Sequence, residues 1–365
     1  MEASVKTRKA QKRSATANWN DLRAAKNEMA AKLIHRPSTE VAQREQAYRF
    51  AVLRGALRAI NPIPSENTLG IGIGEKISDG KQTGILAIKL LVRMKFPKSE
   101  LRSNHVLPRE IDGIPTDVEE VGIFRRFASD DPVRAWAQSG AMPNPRTKIR
   151  PAQPGCSIGY QDPSNQIVMA GTFGAVVKDK DGLYILSNNH VLADENRLAL
   201  GAPIFQPGLL DGGNPSTDKI ANLTKFETLQ TLSANTVDCA IAKVTTSTIV
   251  SKDVLYIGAP QGTEDAAIDM AVHKFGRTTG YTVGRVTSID TDVKVQYDLG
   301  NLTFSGQIIV VGNDGASFSN AGDSGSLILE RGTNKAVALL FAGSPTHTIA
   351  NHIDDVLSAL KVTLA

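Results

Sequence analysis

The stretch 319–329, SNAGDSGSLIL, contains a candidate nucleophile directly before a predicted strand. Ser324 stands between Asp323 and Gly325, and the apolar residues 327–329 that follow are typical of a buried strand. Glycines on a tight turn allow a substrate backbone to approach, and they allow the amides of Gly322 and Ser324 to point at one oxyanion. A strand after the serine argues against the strand-to-helix elbow of α/β-hydrolases. An isolated motif of this kind could also be a surface turn, so Ser324 needs partners.

Two other segments offer the base and the acid that a serine nucleophile requires. The segment 183–193, LYILSNNHVLA, reads as an apolar strand that ends in polar residues, and His190 follows directly. In the segment 237–244, VDCAIAKV, Asp238 opens an alternating strand. Taken singly, His190 would be a structural histidine and Asp238 a strand-end cap. Together, in the order His190, Asp238, Ser324, they predict acyl transfer to a serine that is activated by an imidazole.

With these segments the chain resembles trypsin-like serine proteases of the chymotrypsin fold, over roughly residues 151–364. It is most similar to the intracellular group that includes the plant narrow-leaf-type proteins. The segments that carry this closer resemblance are LSNNHVLA, QPGLLDGG, VDCAIAKV, GRTTG, GDSGSLI and LLFAGS. The resemblance implies a mainly β fold with a double β-barrel, a protein or peptide substrate, and an oxyanion hole made by Gly322 and Ser324.

The resemblance also implies a substrate-binding surface. In such enzymes the residue six before the nucleophile tends to form the floor of the specificity pocket, which is Phe318 in this chain. A phenyl ring there has no charge and shortens the pocket, so we expect small or medium apolar side chains to be preferred. The wall that pairs with the substrate backbone would be Phe341, Ala342 and Gly343.

A buried ion pair is expected beneath the nucleophile. The segment GRTTG resembles bacterial relatives in which an arginine meets the aspartate before the serine, which predicts a pair between Arg277 and Asp323. Such a pair would form the site without proteolytic activation. Two positions depart from the family pattern: Ser326 replaces the usual Gly, and the serine that usually supports the catalytic Asp is absent or shifted to Ser344.

Composition limits the other classes of function. The chain has 365 residues, of which 41% are apolar and 21% charged, with a net charge of +4, so we expect no nucleic-acid partner. Its two cysteines are too few for a disulfide framework, and its first residues lack the apolar region of a secretory signal. We therefore expect a cytoplasmic protein without a membrane partner, or a nuclear one if the source is eukaryotic. We expect no metal or other cofactor, because His273, His347 and His352 have no acidic or Cys partners at ligand spacing.

The chain divides into five predicted regions. They are a disordered basic tail at 1–17, two helices within 18–61, a small α/β domain at 62–127, a linker at 128–154, and a protease domain at 155–365. Within the last we expect barrel one at 155–244, barrel two at 266–345 and a C-terminal helix at 351–361. The N-terminal helices could pack on the neighbouring domain or mediate homo-oligomerisation. The glycines at 70, 72 and 74 do not match a dinucleotide loop, because no third glycine at the required spacing and no helix pattern follow.

Three classes of function fit these features. We favour an active intracellular serine endopeptidase. The alternatives are a protease-like scaffold or regulatory binding protein with little turnover, and a hydrolase of non-peptide esters.

Overall fold

The computed structural model describes residues 18–35, 64–101, 103–126, 142–161 and 169–365. The basic tail, the second predicted helix, residue 127 and residues 128–141 of the predicted linker lie outside the described residues. Four α-helices and nineteen strands are described in these ranges. The helices are α1 (Trp19–Leu33), α2 (Pro64–Asn67), α3 (Asn189–Leu192) and α4 (Ile353–Leu360). The first eleven strands are β1 (Thr68–Ser78), β2 (Lys81–Val92), β3 (Glu110–Ile111), β4 (Ile114–Glu120), β5 (Arg125–Arg126), β6 (Ser157–Tyr160), β7 (Gly171–Thr172), β8 (Ala175–Asp179), β9 (Gly182–Ser187), β10 (Pro203–Phe205) and β11 (Lys219–Phe226). The remaining strands are β12 (Ala240–Val244), β13 (Ala271–Gly276), β14 (Gly280–Tyr297), β15 (Gly300–Gly312), β16 (Leu327–Glu330), β17 (Ala336–Gly343), β18 (Thr348–His352) and β19 (Thr363–Leu364).

The first sheet has eight strands in the order β19-β8-β9-β12-β11-β10-β6-β7. Its core combines alternating apolar residues of these strands with the apolar face of α4, where Ile353, Val356 and Leu360 are buried. That face follows the helical spacing seen in the sequence. The last strand, β19, pairs with β8 and forms one edge of this sheet.

The second sheet has eleven strands and is built on the long hairpin of β14 and β15. The sequence predicts two strands, 281–290 and 293–298, where the structure has the single strand β14. The pairing of β14 with β15 shifts register between Ser288 and Thr291, and Asp290 has a φ of 49°. A bulge with a left-handed residue interrupts the alternating pattern of the sequence. The sequence therefore suggests that one strand ends and another begins, although the strand continues.

The N-terminal strands continue this second sheet, because β1 pairs antiparallel with β14. A Cβ at Gly72 would lie 2.2 Å from Oγ1 of Thr291, so the close approach of the two backbones requires glycine there. Helix α1 buries Leu22 and Met29 against β1 and β2 in a separate apolar cluster. The predicted boundary between the small α/β domain and the protease domain stays a prediction.

This architecture confirms the predicted fold class, a mainly β, chymotrypsin-like chain preceded by a helical segment. The candidate catalytic residues His190, Asp238 and Ser324 lie just outside strands of the two sheets, on the segments that connect these strands. No helix in the described part of the chain is long and apolar enough to cross a bilayer.

Candidate active site

His190 and Asp238 meet at one end of the first sheet. Helix α3 begins after Asn188 and carries His190 in its first turn, while Asp238 comes just before β12, which pairs with β9. The Nδ1 of His190 lies 2.5 Å from Oδ2 of Asp238, and both side chains are fully buried. The amides of Asn189 and His190 donate to the other oxygen of Asp238, at 2.7 and 3.3 Å. Asp238 therefore fixes the position of His190 through backbone amides of the segment 183–193 as well as through the imidazole ring.

The carboxylate of Asp238 has a further partner that the sequence analysis missed. The hydroxyl of Tyr297, at the end of β14, donates to Oδ2 at 2.6 Å, and the ring of Tyr297 stands edge-on to that of His190. Burial alone would raise the pKa of Asp238, but the charge of His190 and the hydrogen bonds from His190 and Tyr297 hold that pKa below its ordinary value. Asp238 is thus kept as an anion beside the imidazole.

The nucleophile candidate lies on a turn between the sheets. Gly322 and Gly325 flank Ser324 with φ values of 93° and 90°, which favour glycine. A Cβ at Gly325 would lie 2.1 Å from Oγ of Ser187 at the end of β9, so this turn presses directly on the first sheet. The hydroxyl of Ser324 donates to the carbonyl of Phe341 at 3.0 Å.

Among the described residues, three polar groups of the candidate site make no hydrogen bond. The Nε2 of His190 is buried and makes no hydrogen bond. In the described part of the chain no carbonyl accepts from the amides of Gly322 or Ser324, whereas the amides of Asp323 and Gly325 donate to Asn320 and Leu340. These unpaired groups are a proton acceptor and two donors, which are the functions that acyl transfer needs beside a serine.

The predicted ion pair between Arg277 and Asp323 does not form, and this prediction is corrected. Asp323 instead lies 3.5 Å from Nζ of Lys274, another fully buried side chain. Backbone amides of Thr278 and Thr279 also donate to its carboxylate, at 2.8 and 3.1 Å. A Cβ at Gly276 would lie 2.4 Å from Oδ1 of Asp323, so the segment GRTTG surrounds the carboxylate with amides and a glycine, not with its arginine.

The fully buried Arg277 pairs with Asp211 in the loop that holds QPGLLDGG. Its Nε and Nη2 donate to the two oxygens of Asp211 at 2.6 and 2.8 Å, the two-pronged geometry that arginine favours. Ser157 donates to the same carboxylate at 2.5 Å. The sequence identified both segments as similar to relatives, but nothing in their local pattern indicates that they meet.

The predicted specificity residues occupy different environments. The side chain of Phe318 is 1% exposed and belongs to an apolar cluster of the second sheet, with Nζ of Lys274 5.6 Å from its ring centroid. The preference for small or medium apolar side chains stays a prediction. Phe341, Ala342 and Gly343 form the end of β17, and Ala342 and Gly343 pair with the chain's own strand β5.

The two departures from the family pattern have separate structural roles. Ser326 donates to the carbonyl of Asp323 at 2.6 Å within the turn. Ser344 bonds with His347 at the next turn, so it does not take the place of the supporting serine. The hydroxyl of Tyr297 contacts Asp238 instead. The only sequence signal for Tyr297 is its position at the end of a predicted strand, shortly before Gly300.

The three histidines considered as metal ligands in the sequence analysis and the two cysteines have other contacts. His273 lies beside Tyr281, His347 beside Glu119, and His352 directly precedes α4. Both cysteines are free and buried, and burial raises the pKa of the Cys156 thiol to about 12.

Known proteins match this chain in sequence. Residues 175–344 match the family model described as Peptidase family S64. The chain is also 25% identical over 295 residues to Protein NARROW LEAF 1 of Oryza sativa subsp. japonica, an alignment that covers 72% of the chain and 48% of that protein. The chain thus spans about half the length of this curated relative. These matches confirm the resemblance inferred from the motifs.

Two proteases are among the solved structures with some similarity to the chain. Protease A of Thermobifida fusca has a TM-score of 0.41 at 17% identity, covering 58% of this chain and 97% of that chain. A glutamic acid specific serine protease has a TM-score of 0.40 at 19% identity, covering 58% of this chain and 100% of that chain.

Proposed function

We propose that the chain is a serine endopeptidase that cleaves peptide bonds through an acyl-enzyme on Ser324. The observation that carries this proposal is the state of His190: its Nδ1 is bound to Asp238, while its buried Nε2 makes no hydrogen bond. An imidazole held in one tautomer, with its other nitrogen free, suits a general base.

The proposed reaction begins when Oγ of Ser324 turns from the Phe341 carbonyl towards Nε2 of His190. Oγ attacks the scissile carbonyl carbon as Nε2 takes its proton, and the amides of Gly322 and Ser324 donate to the resulting oxyanion. His190 then protonates the leaving amine, which leaves an acyl ester on Ser324. Water, deprotonated by His190, hydrolyses that ester and restores the serine. Asp238 stabilises the imidazolium formed in both steps.

The test is reaction of the purified chain with a fluorophosphonate probe, together with hydrolysis of a peptide library. We expect Ser324→Ala to abolish labelling and to lower peptide hydrolysis by at least roughly 10³-fold. Ser317→Ala is the matched control, because its hydroxyl only donates to the Ser319 carbonyl, and it should be labelled like the wild type. Peptide hydrolysis by Ser324→Ala at the wild-type rate would show that the nucleophile is misassigned.

A protease-like scaffold is the second candidate, favoured by two observations. The hydroxyl of Ser324 bonds to a carbonyl instead of the imidazole, and the side chains of His190, Asp238 and Ser324 are all fully buried. A scaffold of this kind would give a folded wild type that fluorophosphonate does not label. A hydrolase of non-peptide esters would be labelled but would cleave only ester substrates.

A further inference from the structure

The two-residue strand β5 lies along the edge of β17 that a substrate backbone would use. It pairs antiparallel with β17, with Arg126 opposite Ala342 and Arg125 opposite Gly343. Phe341, the next residue along β17, accepts the hydroxyl of Ser324 at 3.0 Å. A substrate residue opposite Phe341 would therefore lie beside the nucleophile, and Arg126 occupies the place of the substrate residue one before it. An extended peptide added to an exposed strand edge is a common mode of peptide recognition.

The chain just before Arg126 is held by packing and hydrogen bonds. The preceding Phe124 is fully buried in one apolar cluster with Phe304 and Phe341, and its carbonyl accepts the amide of Gln296 at 3.0 Å. Arg125 pairs in parallel with Gln296, and its Nε donates to the amide side chain of Gln296 at 3.2 Å. The strand β5 thus lies between β17 and β14.

The side chain of Arg126 enters an acidic subsite beside helix α3. Its guanidinium forms ion pairs with Glu195 and Asp298, and its Nη1 lies 3.6 Å from Sδ of Met169. Only 14% of the Arg126 side chain is exposed. An arginine that is nearly buried and paired with two carboxylates is a specific contact, not a solvated surface charge.

The subsite is built independently of Arg126. Glu195 comes soon after α3 in a left-handed conformation, with a φ of 51° and a side chain that is 1% exposed. The amides of Asp298 and Leu299 donate to its two oxygens, at 3.2 and 2.9 Å, and Arg197 lies 3.7 Å away. The carboxylate therefore keeps its position when Arg126 is removed, and a second cation can take the vacated contacts.

We propose that Glu195 and Asp298 form a specificity subsite for an arginine or lysine side chain of the substrate, one position before the residue at which cleavage occurs. In the resting chain Arg126 fills this subsite, and a substrate must displace it. This inference rests on the proposed function and adds a substrate class to it: peptides with a basic residue at that position.

The test uses two fluorogenic peptide amides, Ala-Ala-Arg-Ala and Ala-Ala-Gln-Ala, which differ only at the position in question. We expect the wild type to favour the arginine peptide about tenfold in kcat/KM, which corresponds to about 1.4 kcal/mol. Asp298→Asn, at a side chain that is 58% exposed, should reduce this ratio to about threefold or less. Arg126→Ala should raise kcat/KM for the arginine peptide several-fold, because the competing side chain is gone.

Arg125→Ala is the matched control, since it removes the same charge from the same strand without touching the two carboxylates. For this variant, the ratio of kcat/KM for the arginine peptide to kcat/KM for the glutamine peptide should equal that of the wild type. Equal kcat/KM for the two peptides, or a ratio that neither Asp298→Asn nor Arg126→Ala changes, would overturn the proposal.

A binding measurement keeps this test separate from the test of catalysis. In a Ser324→Ala background, the fluorescence anisotropy of dye-labelled versions of both peptides gives their Kd values without turnover. Tighter binding of the arginine peptide, weakened by Asp298→Asn, supports the subsite even if fluorophosphonate fails to label the wild type. Equal Kd values refute the subsite even if labelling succeeds.

Discussion

At the scale of single residues, both oxygens of the Asp238 carboxylate are occupied before any substrate binds. Oδ1 accepts two backbone amides of the segment that carries His190, and Oδ2 is shared by Nδ1 of His190 and the hydroxyl of Tyr297. Four donors around one buried anion fix its orientation and offset the cost of its burial. The imidazole that faces Oδ2 is fixed by the same network.

Tyr297→Phe removes one of these donors and is expected to slow hydrolysis without unfolding the chain. A hydrogen bond to a charged group contributes about 1.5–3 kcal/mol, so we expect kcat/KM to fall roughly tenfold or more. Tyr281→Phe is the matched control, because it also removes a hydroxyl beside a histidine, His273, but outside the site. Equal rates for both variants in a peptide assay, at equal melting temperatures, would contradict the supporting role of Tyr297.

The residues predicted from sequence differ from those that were missed in one physical respect. His190, Asp238 and Ser324 each stand in a local pattern, a strand end or a glycine turn, that indicates their chemistry. Tyr297 and Lys274 lie in ordinary strand sequence, and their importance comes only from partners far along the chain. The error at Arg277 has the same origin, because two aspartates on distant segments, Asp211 and Asp323, could each pair with this arginine and the local pattern does not decide between them.

At the scale of elements, the hairpin of β13 and β14 links the turn that carries Ser324 to the loop between β10 and β11 of the first sheet. Its glycine and its two threonines surround Asp323, while its arginine reaches Asp211 in the short 3₁₀ turn Leu209–Asp211. One five-residue segment therefore fixes the carboxylate beneath Ser324 and joins the two sheets.

Asp211→Asn should destabilise the chain more than loss of an ordinary ion pair. It leaves the guanidinium of Arg277 buried without its anion, which typically costs about 3–5 kcal/mol. Asp269→Asn is the matched control: its pair with Arg285 is exposed, so its loss should change the free energy of unfolding by less than about 1 kcal/mol. Urea unfolding of both variants measures the difference. Similar midpoints would show that Arg277 finds other partners when Asp211 is neutralised.

At the scale of the whole molecule, the N-terminal strands are part of the same eleven-stranded sheet as the hairpin of β14 and β15. The sequence predicts paired strands at 67–74 and 84–95, and the structure contains this pair as β1 and β2, but the pairing of β1 with β14 was not predicted. Alternating apolar residues fix which face of a strand is buried, whereas the choice of neighbour depends on backbone fit over long distances. The close approach of Gly72 to Thr291 is such a fit. A glycine within a strand does not indicate which strand will pair with it. Self-association through the N-terminal helices and a cytoplasmic location stay predictions.

Glu119 connects these N-terminal strands to the turn between β17 and β18. It lies on β4, where Nζ of Lys89 on β2 is 2.8 Å from one carboxylate oxygen, and Nε2 of His347 is 3.0 Å from the other. Burial raises the pKa of Glu119, but the hydrogen bond from His347 and the charge of Lys89 outweigh it and lower that pKa to about 2. The contact is therefore made by the ionised carboxylate.

This depressed pKa predicts how the stability of the whole chain varies with acid. Because the folded pKa lies below the ordinary value of 4.5, the stabilisation is complete above about pH 4.5 and is lost as the pH falls towards about 2. Glu119→Gln should lower the free energy of unfolding by about 1–3 kcal/mol at pH 7, where solvent screening of the partly exposed side chain reduces the full linkage value. Urea unfolding at pH 7, 4.5 and 3 should show this deficit shrinking with acid. Glu120→Gln, at the exposed neighbour, should show little deficit at any pH, and a constant deficit for Glu119→Gln would mean that its charge does not join the strands to the turn.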